Sequence, residues 1–271
     1  MEWPKLKNII LIILLITNLF LLGLVGLREW NANRYEEQAR TDAVQVLEQN
    51  GIHMEKEVLA EDVALPVATV TRARETEGER LSKLLGGVTE TLLGGGQYRY
   101  VGEKGEATLG NRGEFSVYLS EGSYPAEGDL SAHALKTLKL LGISGEVRSA
   151  EGDAGAGIVK LVQLWDEVPV QNCAITVSYA DGELISITGT CLYGVPAAGG
   201  ELELSAVTGV LRFLEKMKES GDRCGRILTM GVEYRVSTSL ADPSSLLPVW
   251  CFETDAGTYI LDVTSNRVQK I

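Results

Sequence analysis

The strongest constraint on this chain is an uncharged, almost entirely apolar run from Ile9 to Leu27. As a helix, this run would span roughly 28 Å, which matches the hydrocarbon core of a bilayer. A cleaved signal peptide has a shorter apolar region, about 7–15 residues, that ends at small residues, whereas this run ends in Gly-Leu-Val-Gly-Leu-Arg. A buried core helix of this length is rarely apolar on every face. The run therefore predicts a retained transmembrane anchor.

The charges that flank the run do not decide its orientation. Lys5 and Lys7 precede it, and Arg28, Arg34 and Arg40 follow it. The positive-inside rule counts Lys and Arg and largely ignores acidic residues, so neither side is clearly favoured. A signal-anchor ordinarily translocates the long domain that follows it. We therefore expect a cytoplasmic N-terminus and a C-terminal ectodomain outside the cell membrane.

An asparagine, Asn18, lies in the middle of the run. Because the hydrocarbon core offers no water, its amide must bond either to the carbonyl of Leu14 or to a neighbouring helix. In the second case, residues at three- and four-residue spacing would form a stripe that faces the partner helix. Together with Thr17, which would extend the polar contact, the predicted binding face comprises Leu14, Leu15, Thr17, Asn18, Leu21, Leu22 and Val25.

The overall charge excludes some classes of partner. The chain has 37 acidic and 25 basic residues and a net charge of −12. Nucleic acids and anionic lipid surfaces select basic patches, so the composition argues against nucleic-acid binding and against docking on anionic headgroups. The only lipid contact that we expect is the anchor within the bilayer.

Beyond the anchor, the patterns predict an α+β fold, because short turns rather than crossover helices connect the strand-like runs. Two stretches form a weak repeat, each with a serine-started helix (Ser131, Ser205) and three antiparallel strands. A helix across one sheet face would leave the other face for solvent or a partner. The predicted divisions are 1–30 (tail and anchor), 31–127 (an N-terminal α+β module), 128–200 and 201–271 (the two repeats).

A β-hairpin is predicted at VPVQNCAITVSYADGELISITG. A two-residue Asp181-Gly182 loop would place Ile187 opposite Thr176 and put the two apolar rows on opposite faces. We therefore expect a three-residue Ala-Asp-Gly loop. That register places Cys173 and Cys191 on one face in diagonal positions, which leaves open either a disulfide or two buried free thiols.

No motif in the sequence indicates catalysis. His53 and His133 are the only histidines, and neither has a His or Cys neighbour at metal-ligand spacing. We expect His133, in the first turn of a helix, to be solvated. The chain has no G-x-S-x-G motif and no C-x-x-C pair. These observations predict a protein that is not an enzyme and that has no cofactor and no metal site.

The N-terminal stretch MEWPKLKNIILIILLITNLFLL resembles the start of the YycI (WalI) family. The resemblance lies in Trp3, Lys5 and Lys7 before the apolar run and in an Asn-Leu-Phe-Leu stretch at 18–21 within it. The segment YVGEKGEATLGNRGEF also looks like the middle region of that family. The predicted hairpin looks like a strand pair that the family shares with its companion protein YycH.

The resemblance implies a single-pass protein in a Gram-positive cell membrane, with a YycH-like and PepSY-like ectodomain. It further implies association with a YycH-like protein and with the sensor histidine kinase YycG (WalK), and through them an effect on cell-wall metabolism. The residues leave two other classes open. One is a PepSY-like inhibitor or chaperone module that acts on a secreted protease, and the other is an envelope enzyme with an unrecognised site.

Overall fold

The computed structural model describes residues 3–126, 128–153, 155–237 and 244–271, without the side chains of 3–13, 23–33, 195 and 198. This part of the chain contains four α-helices, fourteen β-strands and two short 3₁₀ turns at Lys56–Val58 and Arg74–Thr76. The helices are α1 (Trp3–Gln49), α2 (Glu77–Leu85), α3 (Leu130–Leu140) and α4 (Ala206–Ser220). The strands are β1 (Val63–Arg72), β2 (Thr89–Gly94), β3 (Gln97–Gly102), β4 (Gly105–Leu109), β5 (Glu114–Leu119), β6 (Gly145–Gly152), β7 (Gly157–Trp165), β8 (Val168–Ala180), β9 (Glu183–Thr190), β10 (Gly194–Leu204), β11 (Ile227–Ser237), β12 (Ser244–Thr254), β13 (Gly257–Asp262) and β14 (Arg267–Lys270).

One motif, a helix followed by four antiparallel strands, occurs three times in the described chain. The copies are α2 with β2–β5, α3 with β6–β9 and α4 with β11–β14. The sequence predicted two copies with three strands each. It missed β6, whose letters GEVRSAEG lack apolar alternation, and it took β13 and β14 for one strand. The coarse expectation of mixed helix and antiparallel sheet is confirmed, whereas the transmembrane part of the predicted fold stays a prediction.

The strands join into two antiparallel parts. The first part has the order β6-β7-β8-β9-β5-β4-β3-β2 and contains the first two copies of the motif. The second part runs β10-β1-β12-β11, and β13 also pairs with β12 and β14. A single parallel pairing, Tyr234 with Val170, links the two parts through β11 and β8. Strand β1, from the predicted module 31–127, thus lies between strands from both later units, and the predicted division of the chain stays a prediction.

Two helix starts show how local sequence sets the packing. Ser205 caps α4 as predicted, because its side chain accepts a hydrogen bond from the N–H of Thr208. The cap of α3 is Asp129 rather than Ser131, and its carboxylate accepts from the N–H of Ala132 at 2.8 Å. The earlier start brings Leu130 into the helix and onto its buried side.

The hydrophobic core follows the two sheet parts. One cluster lies between the eight-stranded part and the buried faces of α2 and α3. A second cluster joins α4, the end of α1 and strands β11–β13. A third, smaller cluster lies where β1, β8, β11 and β12 approach each other.

The hairpin between β8 and β9 corrects the predicted loop. The loop is the two-residue Asp181-Gly182 turn, in which both residues have positive φ (51° and 76°) and Ala180 pairs with Glu183. A β-bulge after Leu184 then shifts the register by one residue, so that Val177 lies opposite Ile187. The sequence correctly predicted that a two-residue loop alone would put the two apolar rows on opposite faces. A bulge in β9, rather than a longer loop, brings them onto the same face.

Cys173 and Cys191 are both free thiols and are fully buried. They belong to different hydrophobic clusters, which favours the second of the two predicted alternatives. Burial raises the pKa of Cys173 to about 12 and raises that of Cys191 well above its usual value. Both thiols are therefore protonated and unreactive at neutral pH.

Candidate functional site

The first half of α1 carries the predicted partner face. Leu14, Leu15, Leu21 and Leu22 are between 52% and 68% exposed, and Thr17 and Asn18 are exposed as well. Val25 lies outside the described side chains. These side chains lie on a part of α1 that the rest of the described chain does not cover.

The apolar side chains off the stripe are equally open: Ile16, Leu19 and Phe20 are 60% to 65% exposed. Exposure on all sides does not single out one face, so the partner face stays a prediction. Within the residues that the structure describes, no helix is both long enough and apolar enough to cross a membrane. Residues 9–13 and 23–27 of the predicted anchor lie outside the described side chains.

The second half of α1 is built into the folded domain that follows it. Helix α1 continues without a break to Gln49, and Ala43 and Leu47 are buried. Leu47 shares a hydrophobic cluster with Val210 and Phe213 of α4. The end of α1 is therefore part of the core and not a flexible tether.

Polar contacts fix the same end of α1 against the segment that follows it. The guanidinium of Arg40 donates to the carbonyl oxygens of Leu59 and Ala60, at 2.5 and 2.9 Å. The ammonium of Lys56 forms an ion pair with the carboxylate of Glu37, and this contact lowers the pKa of Glu37. Together with the buried leucine, these bonds attach the end of α1 to the segment that follows it.

A buried charge pair, which the sequence did not reveal, joins β1 to the first motif. Nε and Nη2 of Arg72 donate to the two carboxylate oxygens of Glu77, at 2.5 and 2.8 Å. Glu77 is 1% exposed, and its Oε2 also accepts from the hydroxyl of Tyr100 at 2.8 Å. Burial, followed by the carboxylate of Glu77, raises the pKa of Tyr100, and the carboxylate raises the pKa of Arg72. Two partners thus donate three hydrogen bonds to the carboxylate of Glu77, which is how a buried ion pair in a protein core is satisfied.

The eight-stranded part has one face without helices. Helices α2 and α3 cover the face that carries Val117, Ile187 and Val177. On the opposite face the strand pairings place hydroxyl side chains in one row across six strands, with a cation at each end. The row consists of Arg99, Thr108, Ser116, Thr188, Thr176 and Lys160. All six are at least partly exposed, as expected for a sheet face that is open to solvent or a partner.

His133 is not the solvated side chain that the sequence predicted. Its Nδ1 lies 3.0 Å from the hydroxyl of Tyr179, and its ring packs edge-on against Tyr124 and Tyr179. Burial, followed by the charge of Lys136, lowers the pKa of His133. Among the described residues, no group of three or more His, Cys, Asp and Glu side chains could hold a metal ion. The expectation that the chain is not an enzyme stays a prediction.

No protein-family model matches the chain. No curated protein sequence matches it either. Three solved structures resemble it at 12% to 13% sequence identity. An uncharacterised protein from Eubacterium rectale has a TM-score of 0.44, and the match covers 81% of this chain and 85% of that one.

The second structure is YycH from Bacillus subtilis, with a TM-score of 0.41 over 75% of this chain and 53% of YycH. The third is the C-terminal domain of YpeB from Bacillus megaterium, with a TM-score of 0.32 over 75% of this chain and 99% of that domain. With TM-scores below 0.5, these likenesses assign the chain to none of these families.

Proposed function

We propose that this chain is a membrane-anchored extracytoplasmic regulator of a sensor histidine kinase of the YycG (WalK) type. In this proposal Ile9–Leu27 spans the cell membrane, the N-terminus is cytoplasmic, and the ectodomain lies outside. The kinase and a YycH-like protein are the partners, and cell-wall metabolism is the process affected. The resemblance of the N-terminal stretch to YycI supports this choice of partners.

The observation that carries the proposal is the continuity of α1. The helix runs from the exposed apolar residues at 14–22 to Leu47, which is fully buried in the core with α4. Because Arg40 and Glu37 also bind the following segment, a rotation or shift of the helix in the membrane would strain the ectodomain core. The same rigid connection would transmit a change in the ectodomain back to the membrane.

The proposed contact with the kinase is the partner face around Asn18. A hydrogen bond between helices in a membrane is worth about 0.6–2 kcal/mol. The leucines at positions 14, 15, 21 and 22 would pack around this bond. Loss of the amide should therefore weaken the association of the helices without removing the anchor.

The experiment compares Asn18→Leu with Phe20→Leu in the full-length protein. Both substitutions introduce leucine. Phe20 lies about half a turn from the stripe, so Phe20→Leu serves as the matched control. Association with the kinase is measured by co-purification from membranes after cross-linking, and kinase output by the phosphorylation of its response regulator. Protease protection of intact protoplasts reports the orientation of the anchor.

We expect Asn18→Leu to insert normally, to lower the cross-linked fraction and to change kinase output, while Phe20→Leu behaves as wild type. If both variants cross-link as wild type, regulation does not pass through this face of the helix. If wild-type protein shows no association with the kinase or the YycH-like protein, the proposed function is wrong.

A further inference from the structure

A groove lies beside the first two turns of α3 and the turn between β3 and β4. The segment 123–125 closes its third side, and its volume is about 490 Å³. A groove of this size can hold a few residues of an extended peptide. Its lining consists of Lys104, Ser123, Tyr124, Pro125, Ala132, His133, Lys136 and Thr137.

The charge of the groove is opposite to that of the chain. The chain carries −12, yet Lys104 and Lys136 are charged lining residues and, among the residues that the structure describes, no Asp or Glu lines the groove. Among the described residues, neither ammonium group has a carboxylate within 4.0 Å. Both lysines are therefore available to an anionic partner.

One wall of the groove is aromatic and fixed in place. The ring of His133 lies between Tyr124 and Tyr179, with centroid distances of 5.7 and 5.5 Å. The hydroxyl of Tyr179, 3.0 Å from Nδ1, and the backbone carbonyl of Pro125 hold the imidazole. An apolar side chain of a ligand can pack on Tyr124 and Pro125 without reorganisation of this wall.

The groove is poorly suited to a free phosphate ion. Phosphate sites at helix starts use free backbone N–H groups, but those of Ala132 and His133 already donate to Asp129, at 2.8 and 3.0 Å. The available donors are two separate lysine ammonium groups, which act as point charges. Two lysines from different segments, in a groove that also has an apolar wall, suit carboxylates that alternate with apolar side chains.

We propose that this groove binds an extended acidic segment of another protein. Carboxylates of the segment pair with Lys104 and Lys136, and an intervening apolar side chain packs on Tyr124 and Pro125. The site lies in the ectodomain, so it does not depend on the identity of the kinase or on the membrane contact.

The test uses the full-length chain in detergent and a short fluorescent peptide in which Glu and Leu alternate. A second peptide has Gln in place of every Glu, and inorganic phosphate serves as a competitor. The protein variants are Lys104→Met and Lys136→Met. Lys139→Met is the matched control, because Lys139 is exposed on the same helix but does not line the groove. Fluorescence anisotropy measures the dissociation constants.

We expect the Glu peptide to bind and the Gln peptide to bind much more weakly. Each groove variant should weaken binding of the Glu peptide by about fivefold, and Lys139→Met should leave binding unchanged. Equal binding of the two peptides, or equal losses in all three variants, would overturn the proposal. Displacement of the peptide by an equal concentration of phosphate would also overturn it, because the site would then be a simple anion site.

Discussion

Gly209 on α4 lies directly against the indole ring of Trp250 on β12. A Cβ built at Gly209 would come within 2.7 Å of both Cδ1 and Nε1 of Trp250, and Trp250 is fully buried. The absence of a side chain at position 209 therefore lets the helix approach the sheet at the centre of the second cluster.

Gly209→Ala should destabilise the protein by about 1–3 kcal/mol, although alanine is the better helix former. The matched control is Gly78→Ala on α2, where the nearest atom, Cγ2 of Val88, is 3.8 Å from the added Cβ. This control should be neutral or stabilising by up to about 1 kcal/mol. Urea unfolding followed by tryptophan fluorescence measures both changes, and equal stability of the two variants would contradict the close packing.

Glu77→Gln should lower the free energy of unfolding by about 3 kcal/mol, because it leaves the guanidinium of Arg72 largely buried and without its counter-charge. Glu106→Gln is the control, since Glu106 and its partner Arg99 are 41% and 47% exposed. Its effect should stay below about 1 kcal/mol. Addition of Arg72→Met to Glu77→Gln should recover part of the loss, and an additive loss in the double variant would argue against a coupled pair.

The environment of His133 makes stability depend on pH. Because its pKa is lowered in the folded state, the unfolded chain takes up the proton first as the pH falls. The stabilising contribution of His133 is complete above its unfolded pKa of about 6.5, and it is lost as the pH falls from there toward the folded value. The wild type should therefore lose more stability than His133→Gln between about pH 7.5 and pH 5.5. Urea midpoints measure this difference, and identical pH slopes would show that the ring is not shielded.

A proline at position 36 tests the mechanical role of α1. Glu36 is exposed within the helix, between the apolar run and the buried Leu47, so Glu36→Pro removes a backbone hydrogen bond there and kinks the helix. Under the proposed function, membrane insertion and the stability of the folded domain should persist, whereas kinase regulation should be lost. Glu36→Ala is the control and should regulate normally. If the Glu36→Pro variant still regulates the kinase, α1 does not transmit the signal between the membrane and the folded domain.

The sequence predicted those parts of the fold that local patterns determine. Both helices of the predicted repeats are present, because apolar spacing and a terminal glycine mark them, although only α4 begins at the predicted serine, Ser205. Strand β6 was missed because its side chains alternate between exposed and half-buried, with no apolar row. The first copy of the motif was not seen as a repeat because α2 is short and β2 is exposed along its whole length.

Long-range contacts account for the other differences. Arg72 lies only five residues before Glu77, but the sequence gives no sign that the pair is buried, because Tyr100, which completes the buried contact, is 23 residues away. The position of His133 between two tyrosines likewise depends on Tyr179, 46 residues away. The hairpin shows an intermediate case, in which local patterning revealed a conflict of register but did not choose between a longer loop and a bulge.

The pairing of β1 has a consequence for biosynthesis. The first two motifs find their strand partners among themselves, whereas β1 pairs with β10 and β12, which the ribosome makes much later. Leu47 likewise cannot complete its packing until α4 has been synthesised. A nascent chain that stops before residue 244 would leave one edge of β1 unpaired and exposed to proteases and chaperones. A segment that is synthesised late therefore completes the fold around one that is synthesised early, and a chain truncated before α4 leaves Leu47 without its packing partners.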